Sequence, residues 1–562
     1  MKLKYLLFFF ENSLSWLKNI IAICSKFFHL TLFFKYITRL NFIIHLYKNN
    51  VMLFLFFLLF FILFIDYEIL SLLGNNLLFL IFFVNINGIL FLIFIPGNFK
   101  RILRSIAIFT TSIIYFISIF LWLFFDRSTP KFQYMFDLGS VQFLNTNLVF
   151  GIDGFSIFLV LLTSLISPLL ILCSWYIEID VKLLTLVILI SELFTLMTFT
   201  ALDLFVFFLV FEGLLLPLFI SIVLWGSSDR KIKAALMLFT YTIFSSLLFS
   251  IAIFTIYLEV GTTNFFSVFI YSKLGFSFFK QKFLWCLLFV AFAIKLPLYP
   301  FHTWLPEAHV EAPTFGSVIL ASLLLKTGGY GLFRFVIPMF VEANLYFTPL
   351  VYTLGLIGVI YGALSSIRQL DVKRIIAYLS VSHMNFCVLG QFSENLEGIL
   401  GSLLLMIAHG IIAAGLFISV GFLYKRYEIR NINYYGGLAR VMPIFATLTF
   451  IFTLGNMNMP GTSNFVGELL ILVGISHISL YVTLFAAVGS AIGALCSIWL
   501  WTKIMFGNVK TNYLLKFKDL TRKEYFTLLP LVLINFSIGI YTNEYIDTIY
   551  ASVYFLYTTI LI

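Results

Sequence analysis

The sequence predicts an all-α polytopic membrane protein, and three observations lead to that fold class. The chain has 562 residues, of which 62% are hydrophobic and 11% charged, with a mean hydropathy of +1.06. This composition leaves too little polar surface to cover a soluble globule. Apolar stretches of about 20 residues, the length of a membrane-spanning helix, follow one another with short polar gaps. Runs such as residues 51–65 do not alternate as transmembrane β-strands do, so the spans are helices.

The apolar stretches predict about fourteen core helices in one bundle. Their approximate bounds are residues 76–97, 101–125, 148–175, 182–200, 203–225, 233–258, 280–300, 313–337, 346–366, 371–392, 396–424, 442–475, 480–506 and 525–545. We group them as peripheral helices within 76–175, a first five-helix repeat at 182–337, a second, inverted repeat at 346–506, and a C-terminal helix within 507–562.

The net charge of +10 comes mostly from Lys and Arg residues between the spans. In a soluble protein such a charge would favour nucleic acid, but in a membrane protein the positive loops set the orientation. Nearly all of them follow odd-numbered helices, as at Arg230, Lys373 and Arg440, and the basic gap at 273–282 is the main exception. We therefore expect contacts with lipids, no nucleic acid, and a basic face toward the cytoplasm or an organelle matrix.

Residues 1–75 precede the core as an N-terminal extension. Either 51–66 forms one extra transmembrane helix, or the extension lies in the membrane interface as an amphipathic helix, and the sequence leaves both open. The stretch Met1–Phe10 is basic and apolar, but Glu11 interrupts it and no cleavage site follows, so no removable targeting signal is evident. The 71 Phe residues are typical of drift in an organelle genome of low GC content, which we state as a hypothesis.

The five cysteines are scattered through apolar spans without a CxxC pair or a ferredoxin-like run. Neither disulfides nor an iron–sulfur cluster is indicated, and we expect no cofactor on this chain.

Six ionisable side chains deep inside predicted spans stand out. A charge at the bilayer centre costs at least about 2.5 kcal/mol, so such residues usually face the bundle interior or a water path. They are Glu212, Lys295, Lys326, His383, His409 and Glu468. Each of them alone could be a structural polar group that ties helices together. Acids, bases and histidines on different helices are together the set that a proton relay needs, with Glu212 and Lys295 as a switchable pair.

Helix breakers adjoin two of these residues. Pro297 and Pro300 follow Lys295 in the seventh span, and Pro460 precedes Glu468 in the twelfth. Proline removes a backbone hydrogen bond, and the freed carbonyls are tolerated only where protein or water satisfies them. Broken helices in corresponding positions of two repeats mark ion paths in transporters, whereas an ordinary proline kink is the alternative.

The polar segment 301–313, which we expect to be a loop, contains His302, Glu307, His309 and Glu311. The two histidines are not spaced for one helical face, and nothing supplies a third metal ligand. A hydrogen-bonded hinge between helices is favoured over a metal site.

Several motifs closely resemble those of the antiporter-like subunits of respiratory complex I. The longest is FAIKLPLYPFHTWLPEAHVEAPTFGSVILASLLLKTGGYGLFRF at residues 292–335. Others are GIDGFS at 151–156, DVKRIIAYLSVSHM at 371–384, MIAHG at 406–410 and FG at 506–507. The motifs run from residue 151 to the end of the second repeat, and residues 1–75 have no counterpart.

The resemblance implies a proton-translocating, multi-pass subunit of NADH:ubiquinone oxidoreductase in the mitochondrial inner membrane. Its partners would be the other membrane subunits, including neighbouring antiporter-like ones, and electrons would be handled elsewhere. It also implies residue roles: Glu212 and Lys295 are the coupled pair, Lys326 and His383 the central relay, Glu468 the exit group. His409 is expected near that path. One type of subunit in the family carries Glu in the broken twelfth helix and two carry Lys, so Glu468 indicates the first type.

Two alternatives remain at the level of sequence. One is a subunit of a multisubunit cation/proton antiporter, which shares the helical core. The other is a non-transporting membrane scaffold whose polar residues serve only helix packing.

Overall fold

We analysed a computed structural model, which describes residues 76–141, 146–511, 513 and 518–561. The expected extra helix at 51–66, and the rest of the extension at 1–75, lie outside the described residues. Across the described part the chain is helical apart from one two-stranded sheet and short connections.

Two apolar helices begin the described part. They are α1 (Leu77–Phe94) and α2 (Lys100–Leu123). The start of α2 is fixed by Arg104, which donates to the Ile177 carbonyl at 2.6 Å and pairs with Glu178 at 3.2 Å.

An antiparallel hairpin precedes the third span. Its strands are β1 (Gln133–Val141) and β2 (Thr146–Ile152), and they are followed by α3 (Ile157–Cys173). The expectation of a helix from residue 148 was therefore wrong at its start. The physical reason is a turn at Asp153, whose Oδ1 accepts from the Ser156 amide at 3.1 Å. The Asp153 carbonyl accepts from the Ile157 amide at 3.0 Å, and the helix begins there.

The next helices form the first half of the bundle. They are α4 (Val181–Thr200), α5 (Leu204–Gly213), α6 (Leu215–Trp225), α7 (Lys231–Val260) and α8 (Phe265–Leu274). Asp203 caps α5, because its Oδ1 accepts from the amides of Phe205 at 2.9 Å and Val206 at 3.2 Å. The fifth predicted span is thus one membrane-length unit, Leu204–Trp225, interrupted at Leu214.

The seventh span is broken where the prolines predict it. The helices here are α9 (Phe278–Lys295), α10 (Trp304–Glu311), α11 (Thr314–Met339) and α12 (Val341–Ile367). The span ends at Lys295, five residues earlier than expected, and much of the polar segment 301–313 is helical rather than loop. Pro306 is the third residue of α10, where its missing N–H is not needed. Within α11, Leu320–Leu324 and Leu332–Val336 form wider π-helical turns.

The remaining helices complete the bundle. They are α13 (Val372–Gln391), α14 (Leu396–Tyr427), α15 (Leu438–Val441), α16 (Pro443–Asn456), α17 (Ser463–Ser476), α18 (Leu480–Met505), α19 (Arg522–Ile540) and α20 (Thr542–Leu561). The twelfth span is broken between α16 and α17. The C-terminal helix that we expected at 525–545 ends at Ile540, and α20 follows as a separate helix that the sequence did not predict.

The helices account for the expected membrane architecture. Ten of them, in the described part of the chain, are long and apolar enough to cross a membrane, and α3, α16 and α17 are shorter apolar helices. With the two halves of each broken span counted together, and α9 and α13 included, the described helices supply fourteen spans. This agrees with the all-α polytopic fold class.

Two helices occupy the centre of the bundle. Both α11 and α14 are buried throughout their membrane-length segments, whereas most of α7 and α18 faces outward. Outward-facing side chains such as Phe254 and Leu495, exposed by 62% and 67%, are large and apolar, as lipid contact requires. Lys326 and His409 therefore lie on helices that the rest of the bundle covers.

The backbones of α14 and α17 touch through glycine. A Cβ on Gly401 would lie 2.7 Å from the Gly467 carbonyl oxygen and 2.8 Å from the Ile471 amide nitrogen. Real Cβ atoms essentially never approach other atoms so closely. This contact fixes the helix that carries Glu468 against the helix that carries His409.

We expect Gly401→Ala to destabilise the bundle, because the obstructing atoms are backbone atoms that cannot rotate away. Overpacking of this kind costs about 1–3 kcal/mol. Thermal unfolding of the detergent-solubilised protein measures the loss. The matched control is Gly493→Ala, whose new Cβ would meet its nearest neighbour, Leu379 Cδ2, at 3.8 Å. Equal thermal stability of the two variants would contradict the packing argument.

Candidate functional site

Glu212 and Lys295, which the sequence analysis proposes as a pair, lie close together near the ends of their helices. Lys295 is the last residue of α9, and its Nζ lies 3.7 Å from Glu212 Oε1 near the end of α5. The Lys295 side chain is 1% exposed, and its Nζ lies 4.4 Å from the centre of the Phe211 ring. The separation is longer than a hydrogen bond, so attraction between the charges holds the pair together. A small displacement of either helix end can strengthen or release it.

The break after Lys295 is satisfied by protein groups. Pro297 has no amide hydrogen, so the helix cannot continue normally. The Ala293 carbonyl accepts from the Leu298 amide at 2.9 Å, and the Ile294 carbonyl accepts from Trp304 Nε1 at 2.9 Å. The irregular backbone is thus compatible with a buried position, and it leaves Lys295 at a helix end beside Glu212.

Lys326 lies in the centre of the bundle with neutral partners. Its side chain is fully buried, and Nζ donates to the Ala321 carbonyl at 2.6 Å. Nζ also lies 2.9 Å from His409 Nδ1. An ammonium group only donates, so His409 Nδ1 accepts whenever Lys326 is charged. Among the described residues no carboxylate forms an ion pair with Lys326, so its charge depends on a carbonyl and an imidazole.

A second acid–base pair joins α13 and α17. His383 Nδ1 lies 2.9 Å from Glu468 Oε1, and both side chains are less than 10% exposed. The rings of His383 and His409 are neighbours, with centroids 5.5 Å apart. The pair is therefore one imidazole away from Lys326.

Four of the six predicted residues thus lie one after another across four helices, with hydrogen-bond distances at both ends and neighbouring rings in the middle. Its order is Lys326, His409, His383 and Glu468. The sequence placed His409 only near the path, whereas the structure places it between Lys326 and His383. In the described part of the chain no hydrogen bond or ion pair joins Lys295 to Lys326, so Glu212 and Lys295 form a separate group.

The polar segment near α10 joins helices through hydrogen bonds. Glu307 pairs with Arg374 at 2.6 Å, and Glu311 accepts from Ser228 Oγ at 2.6 Å. His309 is buried and stacks on Phe417 with ring centroids 4.7 Å apart. Across residues 76–141, 146–511 and 518–561 no group of three His, Cys, Asp or Glu side chains is arranged to hold a metal ion.

A buried ion pair that was not predicted from the sequence lies at the end of α11. Arg334 Nη2 lies 2.8 Å from Asp153 Oδ2, and both side chains are at most 5% exposed. Arg334 Nε also donates to the Tyr330 hydroxyl at 3.0 Å. This pair ties the end of α11, the helix of Lys326, to the turn before α3. Both residues lie in the motifs quoted above, at 151–156 and 292–335. They are 181 positions apart in the sequence, so only the fold shows that they form a pair.

Two further buried ionisable groups were not among the predicted site residues, and one of them, Lys373, was expected among the positive charges of the loops. Glu192 lies in the middle of α4, and Lys373 lies at the start of α13 with its Nζ donating to the Ala312 carbonyl at 2.7 Å. Glu192 falls inside the predicted span 182–200, so the criterion that selected the other acids also applies to it.

Comparison with known proteins identifies relatives along most of the chain. A family model described as NADH:quinone oxidoreductase/Mrp antiporter, transmembrane, matches residues 201–493. A protein of Marchantia polymorpha named NADH-ubiquinone oxidoreductase chain 4 is 46% identical over 467 residues, covering 83% of this chain and 94% of the relative. The protein of the same name from Arabidopsis thaliana is 46% identical, and the alignment covers 83% of this chain and 94% of the relative. The one from Mycosarcoma maydis is 40% identical, and the alignment covers 84% of this chain and 98% of the relative.

Solved structures agree on the fold. A chain of respiratory complex I from Thermus thermophilus with bound NADH superposes with a TM-score of 0.77 at 26% identity, covering 87% of this chain and 99% of that one. A chain of an archaeal membrane-bound sulfane sulfur reductase superposes with a TM-score of 0.74 at 22% identity. The match covers 83% of this chain and 76% of that one. The second likeness concerns the fold alone.

We expect Asp153→Asn to destabilise the bundle strongly, because it leaves the Arg334 charge buried without its counter-ion. Breaking one side of a buried pair costs about 3–5 kcal/mol. The control is Glu544→Gln, which breaks the solvent-exposed pair of Glu544 with Arg127. Thermal unfolding in detergent compares the two variants. If the midpoint of thermal unfolding of Asp153→Asn equals that of the control, the Asp153–Arg334 pair does not hold α11 in place.

Proposed function

The chain belongs to the NADH:quinone oxidoreductase/Mrp antiporter family, among the relatives named NADH-ubiquinone oxidoreductase chain 4, and on that premise we propose that it is a proton-translocating membrane subunit of complex I. The single observation that supports transport most strongly is the buried line from Lys326 to Glu468. The relatives confirm the family. Their name, chain 4, also agrees with the type of subunit that carries Glu in the broken twelfth helix, which Glu468 indicated. By that membership the chain works with other membrane subunits in the mitochondrial inner membrane.

As part of NADH:ubiquinone oxidoreductase the chain contributes to an enzyme, and we assign no redox centre to it. The four described cysteines, Cys173, Cys286, Cys387 and Cys496, are free and lie on four different helices. We propose that other subunits of the complex carry out the electron transfer. This chain must respond to them through electrostatics or helix movement.

The first step of the proposed mechanism changes the Glu212–Lys295 pair. At 3.7 Å and an effective dielectric constant of 20, two unit charges attract by about 4 kcal/mol. A signal from a neighbouring subunit that draws Glu212 away removes that attraction, and buried Lys295 then releases its proton more readily. Because the two residues lie at helix ends, movement of an end is sufficient.

The second step carries the proton along the line. Lys326 receives it, His409 Nδ1 accepts it, and His383 passes it to Glu468. Each imidazole can accept a proton on one nitrogen and donate from the other. The step from Lys295 to Lys326 crosses a gap that water molecules or side-chain motion must bridge. Glu468 then releases the proton toward the face with fewer basic loops.

Two five-helix repeats at 182–337 and 346–506 remain our proposal for the organisation of this path. The broken seventh span ends at Lys295, and the broken twelfth span carries Glu468 in α17. These are the fourth spans of the two proposed repeats. The correspondence supports the two breaks as equivalent parts of one transport device.

The two alternatives are less well supported. The family model covers cation/proton antiporters as well, but curated relatives at 40–46% identity over most of the chain are named as chain 4. A scaffold would need polar groups only for packing, whereas Lys326 and the two histidines form a line of exchangeable protons.

We expect Lys295→Gln to abolish most of the NADH-driven proton pumping of the assembled complex, because Gln cannot bind or release the proton. Assembly should persist, since Gln still fills the site and hydrogen-bonds. Proton uptake by proteoliposomes per NADH oxidised is the measurement. The control Lys233→Gln removes an exposed charge at the start of α7. A normal proton-to-electron ratio in Lys295→Gln would contradict the mechanism. If the variant instead assembles less complex, and the complex that does assemble pumps normally, the scaffold alternative would be favoured.

His409→Gln tests the order of the line. Gln at this position can still hydrogen-bond Lys326 but cannot transfer a proton, so we expect most of the pumping to be lost. His477→Gln, at the exposed end of α17, is the matched control and should pump normally. The same proteoliposome assay compares them. If His409→Gln pumps like the control, His409 lies beside the path, as the sequence alone suggested.

A further inference from the structure

Glu192 is a buried carboxyl group outside the proposed relay. It lies in the middle of α4, and only 2% of it is exposed. Its Oε1 lies 2.6 Å from Ser167 Oγ on α3, and its Oε2 accepts from Asn85 Nδ2 on α1 at 3.2 Å. Both partners are neutral and buried. In the described part of the chain Glu192 has no cationic partner within ion-pair distance, which distinguishes it from Glu212, Asp153 and Glu468.

The absence of a described counter-ion favours the neutral form of this carboxyl. An isolated carboxylate is costly in an apolar interior, and the usual outcome is that the group binds a proton. Two neutral hydrogen-bonding partners are sufficient for a carboxylic acid. The three helices thus form a small polar site that suits a protonated glutamate.

The Ser167 hydroxyl connects two states of this site. Its oxygen lies 2.6 Å from Glu192 Oε1 and 3.2 Å from the Ser164 carbonyl oxygen, but it carries one proton and can donate to only one of them. When Glu192 is charged, Ser167 donates to Oε1. When Glu192 is protonated, Oε1–H donates to Ser167 Oγ, and Ser167 turns to the Ser164 carbonyl. The same atoms satisfy both protonation states without movement of a helix.

The site faces away from the Glu212–Lys295 pair. Phe194 on α4 packs toward α5, because a Cβ on Gly213 would lie 3.3 Å from its ring. Glu192 precedes Phe194 by two residues, which is about 200° around the helix. It therefore projects from the opposite face of α4, toward α1 and α3.

Two further buried hydroxyl groups lie close to this site. Ser164, one turn earlier on α3, lies with its Oγ 2.6 Å from Ser118 Oγ on α2. Ser167 contacts Ser164 through the Ser164 backbone carbonyl. These groups extend the polar surroundings of Glu192 toward α2.

We propose that Glu192 is an additional proton-binding site of this subunit, which is loaded and unloaded through the Ser167 hydroxyl during turnover. In loading, a hydronium ion gives a proton to Ser167 Oγ while Ser167 gives its own to Glu192 Oε1, so that a carboxylate and hydronium become a carboxylic acid and water. Unloading is the reverse. This inference rests on the proposed function, because it assigns the exchange to the same transport cycle.

Infrared spectroscopy of the assembled complex tests the protonation state directly. The wild-type spectrum should contain a C=O stretching band of a protonated carboxyl that shifts in deuterium oxide and is missing from Glu192→Gln. In Ser167→Ala the band should move to higher frequency, because the acid loses the hydrogen bond that it donates to Ser167. The control Glu342→Gln removes an exposed carboxyl at the start of α12 and should leave the band unchanged. A carboxylate signal for Glu192 in place of the acid band would overturn the proposal.

Turnover tests the exchange. The Glu192 band should change in intensity in the spectrum of NADH-driven minus resting complex, and Glu192→Gln should lower the proton-to-electron ratio with assembly unchanged. A constant band together with a normal ratio would show a static structural acid and would overturn the exchange. These results are distinguishable from failure of the proposed function, which would appear as normal pumping in Lys295→Gln.

Discussion

A charge in a medium of low dielectric constant needs a partner or changes its protonation state, and the interior of this bundle is organised around that constraint. The buried ionisable groups meet it in different ways. Arg334 and Asp153 form a close ion pair at 2.8 Å, which is suited to permanent charges. Lys295 has Glu212 at 3.7 Å, which leaves the attraction adjustable. Lys326 has only a carbonyl and an imidazole as partners, so among the described residues no carboxylate stabilises its charge.

Irregular backbone places these groups where they interact. The break after α9 ends the helix at Lys295, and the break before α17 allows Glu468 to reach His383. In α11 a π-helical turn at Leu320–Leu324 precedes Lys326, which donates to the carbonyl of Ala321 within that turn. Such features are tolerated in a membrane only inside protein. The glycine contact between α14 and α17 then holds two of the helices at a fixed separation.

Hydropathy, proline positions and the rarity of charges in lipid are properties of local sequence. They predict the fourteen spans, the two breaks and the six candidate residues. The position of His409 between Lys326 and His383 depends on how α11, α13 and α14 pack, which no local pattern contains. Hydropathy predicts helix at the second strand of the hairpin before α3, because β2 is apolar and continuous with the span. Arg334 and Asp153 were overlooked because an ion pair between distant segments is a property of the fold, whereas Glu192 met the criterion already in use.

The central claim is that the Glu212–Lys295 pair and the line ending at Glu468 are parts of one proton path. Residues that act as one unit lose function together, and combining their substitutions adds nothing further. The most direct measurement is therefore the proton-to-electron ratio of proteoliposomes with Lys295→Gln, with Glu468→Gln, and with both. A single path predicts that the double variant retains the same ratio as either single variant. Losses that add in the double variant would show two independent routes and would contradict the account.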